Sequence, residues 1–242
     1  MADLRNYQSR AQTGEMIDQG LRSYMLKVYN LMGIGLVITG LAAYFAFSLA
    51  VSDGQLTAFG AAIYTSPLKW VVIFAPLALV FFLSFRINSM SVSAAQTTFA
   101  VYAALVGLSL SSIFLIYTGQ SVVQTFFVTA ASFGALSLYG YSTKRDLSAM
   151  GSFLIMGLFG LIIASVVNIF LQSGAMAFAI SAIGVLIFAG LTAYDTQRIK
   201  EMYYAADDAT MAGRKAIMGA LTLYLDFINL FMFLLQFMGN RK

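Results

Sequence analysis

The stretch LTLYLDFINLFMFLLQFMG, Leu221–Gly239, holds one carboxylate, Asp226, in otherwise apolar, helix-forming sequence. A second acid, Asp195, stands in GLTAYDTQRIKEMYY. An ionised carboxylate at the centre of a membrane helix costs about 2.5–3.5 kcal/mol on insertion scales. Each acid must therefore be protonated, paired, or turned to a wet cavity. Thr222 and Asn229, at i−4 and i+3 from Asp226, supply a hydroxyl and an amide on the same helical stripe. With the membrane boundary near Tyr203, Asp195 lies roughly 12 Å inside it. Asp226 lies about 15 Å from the same side at 1.5 Å per residue. Consecutive antiparallel helices bring the two to similar depth.

Two carboxylates side by side in a low dielectric do not both ionise cheaply, so such a pair holds one shared proton and titrates as a unit. Loss of that proton leaves a two-anion site suited to a hard cation with oxygen ligands such as Ca²⁺. Its return tends to expel the ion. The residues thus allow a pH-sensitive cation gate, with Asp195 and Asp226 as sensor and as transient Ca²⁺ ligands. Two blander readings stay open. Arg198, at i+3, would account for Asp195 by an ion pair at the interface. Asp226 would equally serve as a protonated interhelical hydrogen bond worth about 1 kcal/mol. Asn168 in VVNIF is either a donor to the acid cluster or an isolated helix-packing amide. Arg86 is either a counter-ion reaching Asp195 or a topology marker. Lys144-Arg145-Asp146 and Asp207-Asp208 read as solvated loop charges.

The chain has no cysteine and no histidine, which removes disulfides, thiol chemistry, the usual zinc sites and imidazole-based catalysis. No Ser–Lys pair stands inside the apolar runs. Only the aspartyl pair keeps an intramembrane protease formally open, and no enzyme is expected. No cofactor is expected either, Ca²⁺ entering only as a permeant or transiently bound ion.

The elements that position these residues follow from composition. Of 242 residues, 60% are hydrophobic and 10% charged, whereas soluble domains carry about 25% charged residues. Val28–Ser52, Ile87–Thr143 and Leu147–Tyr194 contain no Asp, Glu, Lys or Arg, and roughly 20 apolar residues span a bilayer. The fold class is an all-α polytopic membrane protein, without the alternation of a β-barrel. Seven spans are expected, at about 28–50, 69–86, 97–117, 122–142, 151–171, 176–199 and 216–238. They are cut at Thr118-Gly119-Gln120-Ser121 and Gln172-Ser173-Gly174, and Pro76 should kink the second. Residues 1–22 read as a polar cytoplasmic segment without a cleaved signal peptide, and 23–242 as one seven-helix domain. Small residues such as Gly33, Gly35, Gly40, Gly157 and Gly160 fit close helix packing in lipid.

With the N-terminus in the cytoplasm, eleven basic residues face that side and three, Lys69, Arg241 and Lys242, face the other, a positive-inside bias. The C-terminus then lies outside, with Trp70 beside Lys69 as an interfacial anchor. The net charge of +4 is absorbed by this orientation and does not suggest nucleic acid as a partner. The lipid bilayer, Ca²⁺ and protons are the expected partners. The small size and short extramembrane segments suggest a bacterial inner membrane.

AYDTQRIK and LYLDFINLF, with KRDLS after the fourth span, resemble the Bax inhibitor motif family from about residue 20 to the C-terminus. The resemblance implies a bundle with the last helix central and six others around it. It also implies a pH-sensitive aspartate latch on calcium leak, here Asp195 and Asp226, with Arg86 as the arginine that bonds the first aspartate when the pore is shut. Some bacterial relatives restrain a membrane-anchored ATP-dependent protease, which supplies the rival expectation of a non-conducting regulator. A proton-coupled transporter is a third expectation, weakened by the lack of an inverted repeat.

Overall fold

The computed structural model describes residues 18–242; all of the expected N-terminal segment except residues 18–22 lies outside them. Seven helices are long and apolar enough to cross a membrane: Asp18–Ala50, Leu68–Ser89, Val92–Ile116, Gly119–Ser142, Ser148–Leu171, Gly174–Glu201 and Ala209–Met238. They are called spans one to seven below. Each expected crossing has its helix, but spans one, six and seven run further toward the charged connections than the uncharged runs suggest. Lys, Arg, Glu and Met are good helix formers, so the backbone spiral continues past the point where lipid ends. Charge marks the membrane boundary, not the helix boundary. Pro76 sits inside the helix Leu68–Arg86, which continues through it.

Several span starts are fixed by hydroxyl or carboxylate caps. Ser91, Thr118 and Ser173 accept the backbone N–H of Ala94, Ser121 and Met176. Asp208 accepts that of Met211 at 2.6 Å. Asp208 is therefore the N-cap of span seven, not a merely solvated loop charge. An acid just before an apolar run is the sequence signal for that role. Asp208→Ala should lower stability by about 1 kcal/mol, with Asp208→Asn close to wild type, in equilibrium unfolding in detergent. Its neighbour Asp207 is also engaged, pairing with Lys215 at 2.5 Å. In the connection after span four, Asp146 accepts the Ser148 N–H at 2.8 Å. The Ser148 hydroxyl and amide hold that carboxyl below the usual range. Between spans one and two, Val51–Ser52 and Gln55–Leu56 form a two-stranded hairpin. Its turn, Asp53-Gly54, has φ 52° and 76°, the positive values a tight hairpin turn requires.

Span seven forms the axis: 56% of its most apolar window is buried, against 11% for span five. It packs against spans six, one, four and three. The ring of six expected around it is not complete, because span two packs mainly on span three and span five on span six, one layer further out. The outer surface is apolar, with Phe85 81% and Phe170 83% exposed. Such a collar is tolerated against lipid and not against water.

Between spans, backbone meets backbone at two glycines. A Cβ on Gly107 would overlap the carbonyl oxygen of Thr39, and one on Gly140 would overlap that of Ala193. Spans one and three, and spans four and six, therefore touch backbone to backbone. Among the glycines expected to pack, Gly35 lies against Phe99, where an added Cβ would sit 2.9 Å from its ring, and Gly157 lies against Ile187. Gly33, Gly40 and Gly160 face open space, so for these the packing expectation fails. Helical position alone does not reveal which face meets protein.

Candidate functional site: a buried aspartate pair

Asp195 on span six is 9% exposed and Asp226 on span seven 4%, and their carboxyl groups lie near enough for each to act on the other. An ionised carboxylate only accepts, so a bond between two carboxyls needs a proton on one of them. The two helices thus bring together a carboxyl pair that one hydrogen ion would bridge. The Oδ2 atom of Asp226 is buried and meets no donor among the described residues. Neither aspartate lines the cavities described below. Among the described residues, no group of three or more acids forms a resident metal centre.

Arg198 is exposed and makes no ion pair with Asp195, although its charge lies close enough to act on it. Lys215–Asp207 is the one ion pair among the described residues. The ion-pair reading of Asp195 therefore gives way to the carboxyl–carboxyl contact. One helical turn is enough to place Arg198 beside Asp195, but the long side chain turns outward to water.

The supporting polar groups mostly do not converge. Thr222 donates to its own helix at Met218 O, 3.0 Å, and Asn229 to Leu225 O, 2.8 Å. Each is satisfied by the preceding turn, the usual fate of such groups in lipid. Asn168 is at the other end of the bundle, accepting the Ser173 N–H at 3.0 Å and closing the turn between spans five and six. It does not donate to the acid cluster. Arg86 is exposed, and its guanidinium makes no hydrogen bond or ion pair among the described residues. The latch contact with Asp195 is not made here, since span two stands outside the ring.

What does support the pair is the triplet Asp195-Thr196-Gln197, whose members face three directions. Asp195 meets span seven. Thr196 shares a 2.8 Å hydrogen bond with Ser137 of span four, and Ser137 another, of 2.6 Å, with Tyr29 of span one. Gln197 accepts the Leu147 N–H and donates to Arg145 O, both at 2.8 Å. It thereby grips the connection after span four, and Lys200 adds a bond to Tyr141 O. Sequence reasoning passes over Tyr29, Ser137, Thr196 and Gln197. The usable signal is Thr192 and Thr196 one turn apart, two hydroxyls on the stripe beside an acid. On span seven, Tyr224 is fully buried. Its hydroxyl meets Thr39 of span one at 2.5 Å, and its ring packs edge-on against Phe99 and Tyr102. The central helix is thus anchored on the side away from span six as well.

Seven apolar spans, a lipid-facing exterior and an acid pair on the axial helices define a polytopic all-α membrane protein. The chain belongs to the Bax inhibitor-like family: a family model described as inhibitor of apoptosis-promoting Bax1 matches residues 21–242. It is 47% identical over 226 residues to the inner membrane protein YbhL of Escherichia coli K12, covering 92% of this chain and 94% of that one. It is 50% identical over 230 residues to an uncharacterized protein of Caulobacter vibrioides, covering 93% and 92%. A Rickettsia prowazekii protein is 49% identical over 246 residues, spanning both chains completely.

Proposed function

We propose that this protein is a proton-gated calcium leak channel of a bacterial inner membrane, with no enzymatic activity. Asp195 and Asp226 form the gate, and Arg86 engages as a latch only when span two moves inward. The observation that carries the reading is the carboxyl–carboxyl contact joining spans six and seven inside an apolar bundle. While the proton is shared, the pair bridges the two helices and seals the route. When it leaves, two unit charges about 4 Å apart repel by roughly 4 kcal/mol at an effective dielectric of 20. That is enough to push spans six and seven away from each other and to draw in a divalent cation. Two carboxylates without a third ligand hold Ca²⁺ weakly, as conduction requires. The inner-membrane placement rests on the likeness to the E. coli inner membrane protein. The basic residues favour a cytoplasmic N-terminus and a periplasmic C-terminus.

The test is Ca²⁺ flux from proteoliposomes between pH 6 and 8. Wild-type flux should rise with pH, by at most about tenfold per unit, the limit for one titrating proton. Asp195→Asn and Asp226→Asn each limit the pair to at most one charge, removing the two-anion state, and should flatten the profile. Unchanged profiles in both variants would sink the gate. Flux no greater than from empty liposomes would favour the rival, a non-conducting restraint on a membrane-anchored ATP-dependent protease.

A further inference from the structure

Span one lies on one side of span seven and span four on another, yet spans one and four share no extended contact. The seam between them is open apart from the Tyr29–Ser137 bridge at 2.6 Å. At the end nearer the connection after span four it widens into a cavity of about 470 Å³. Farther along lies a second of about 530 Å³, floored by Phe227, Ile228 and Phe231 of span seven. On span one the two cavities run from Arg22 to Ala43, about 32 Å of helix, close to the roughly 30 Å thickness of the hydrocarbon layer.

We propose that the first cavity is a binding site for an anionic phospholipid of the surrounding bilayer, its acyl chain in the seam and its phosphate at Arg22. The walls suit an alkyl chain, since Met25, Leu26, Phe133 and Leu138 line them. The mouth suits an anion. Arg22 lines it, whereas Lys200, whose Nζ donates to Tyr141 O at 2.8 Å, does not. Asp18, one turn from Arg22, does not line the cavity. Tyr29 and Ser137 form a polar floor, within reach of a glycerol ester. A basic recess between membrane helices that opens to lipid is the chemistry that selects acidic headgroups. Binding here does not depend on the channel reading. It concerns the seam and not the aspartate pair.

Native mass spectrometry of the detergent-solubilised protein with equal phosphatidylglycerol and phosphatidylcholine tests it. Phosphatidylglycerol should be retained in preference. Arg22→Gln, at an exposed position that does not threaten folding, should weaken that retention about fivefold, the effect of one basic residue at a membrane surface. Gly134→Leu should abolish retention of both lipids, because an added side chain at Gly134 meets open space on the cavity wall. Lys69→Gln, at the far end of the bundle, should leave it unchanged. Equal retention of the two lipids, displacement by excess inorganic phosphate, or an equal loss in Lys69→Gln would each overturn the proposal. Loss of pH-dependent Ca²⁺ flux in the aspartate variants bears on the gate alone and leaves lipid retention intact.

Discussion

Asp195→Leu alone should destabilise the protein by about 1–3 kcal/mol, and Asp195→Leu/Asp226→Leu together should recover most of that loss. The single substitution removes the carboxyl beside Asp226, whose own carboxyl is 4% exposed and has one oxygen with no donor among the described residues. A buried polar group left without a partner costs about 1–3 kcal/mol. Asp226→Leu should cost less, because Asp195 is somewhat more exposed and keeps the nearby charge of Arg198. Leucine is apolar and similar in length, so the double variant replaces a desolvated pair by packing, an exchange that is often neutral. Equilibrium unfolding of the four proteins in detergent gives the coupling energy, expected within about 0.5–3 kcal/mol for groups in direct contact. Strictly additive losses would mean that the two carboxyls do not touch in solution. The ordering of the two single variants is a separate check, since a purely volumetric effect would not distinguish them.

The features of this architecture that depend on lipid as solvent are legible in the sequence. Long uncharged runs and their polar breaks suffice for seven crossings, and the cost of a charge in hydrocarbon singles out Asp195 and Asp226. Depth along antiparallel helices is simple arithmetic, which is why both acids can be placed at one level before any contact is known. Azimuth is not. Thr222 and Asn229 share a stripe with Asp226, yet their own backbone carbonyls satisfy them, and Arg198 follows Asp195 by one turn but faces water. Whether Gly33 or Gly35 meets a neighbouring helix depends on where spans one, three and four sit around span seven. That arrangement is written in pairwise contacts between distant segments, such as Thr39 with Tyr224 and Thr196 with Ser137. The reach of Arg86 fails for the same reason: its depth is suitable, but its helix is one layer out.

The pair also relies on a contact that holds span six from behind, and Gly140→Leu should reveal it. Gly140 of span four is buried against the backbone of Ala193, two residues before Asp195. A side chain there has no rotamer that avoids the Ala193 carbonyl, because the overlap begins at Cβ itself. Either span four or span six must give way, and inserting atoms into a packed interface costs typically about 1–3 kcal/mol. Span six is the element that shifts at the cost of the site. It is tied to span four by Thr196–Ser137 and to the following connection by Gln197, so displacement carries Asp195 away from span seven. Gly140→Leu should therefore lower stability and shrink the Asp195–Asp226 coupling energy measured on its background. Gly160→Leu, on the outward face of span five where an added Cβ meets nothing within 4 Å, should do neither. A destabilised Gly140→Leu protein that kept its full coupling would show that span six moves as a rigid unit with span seven, and that the backbone contact supports the bundle without positioning the acids.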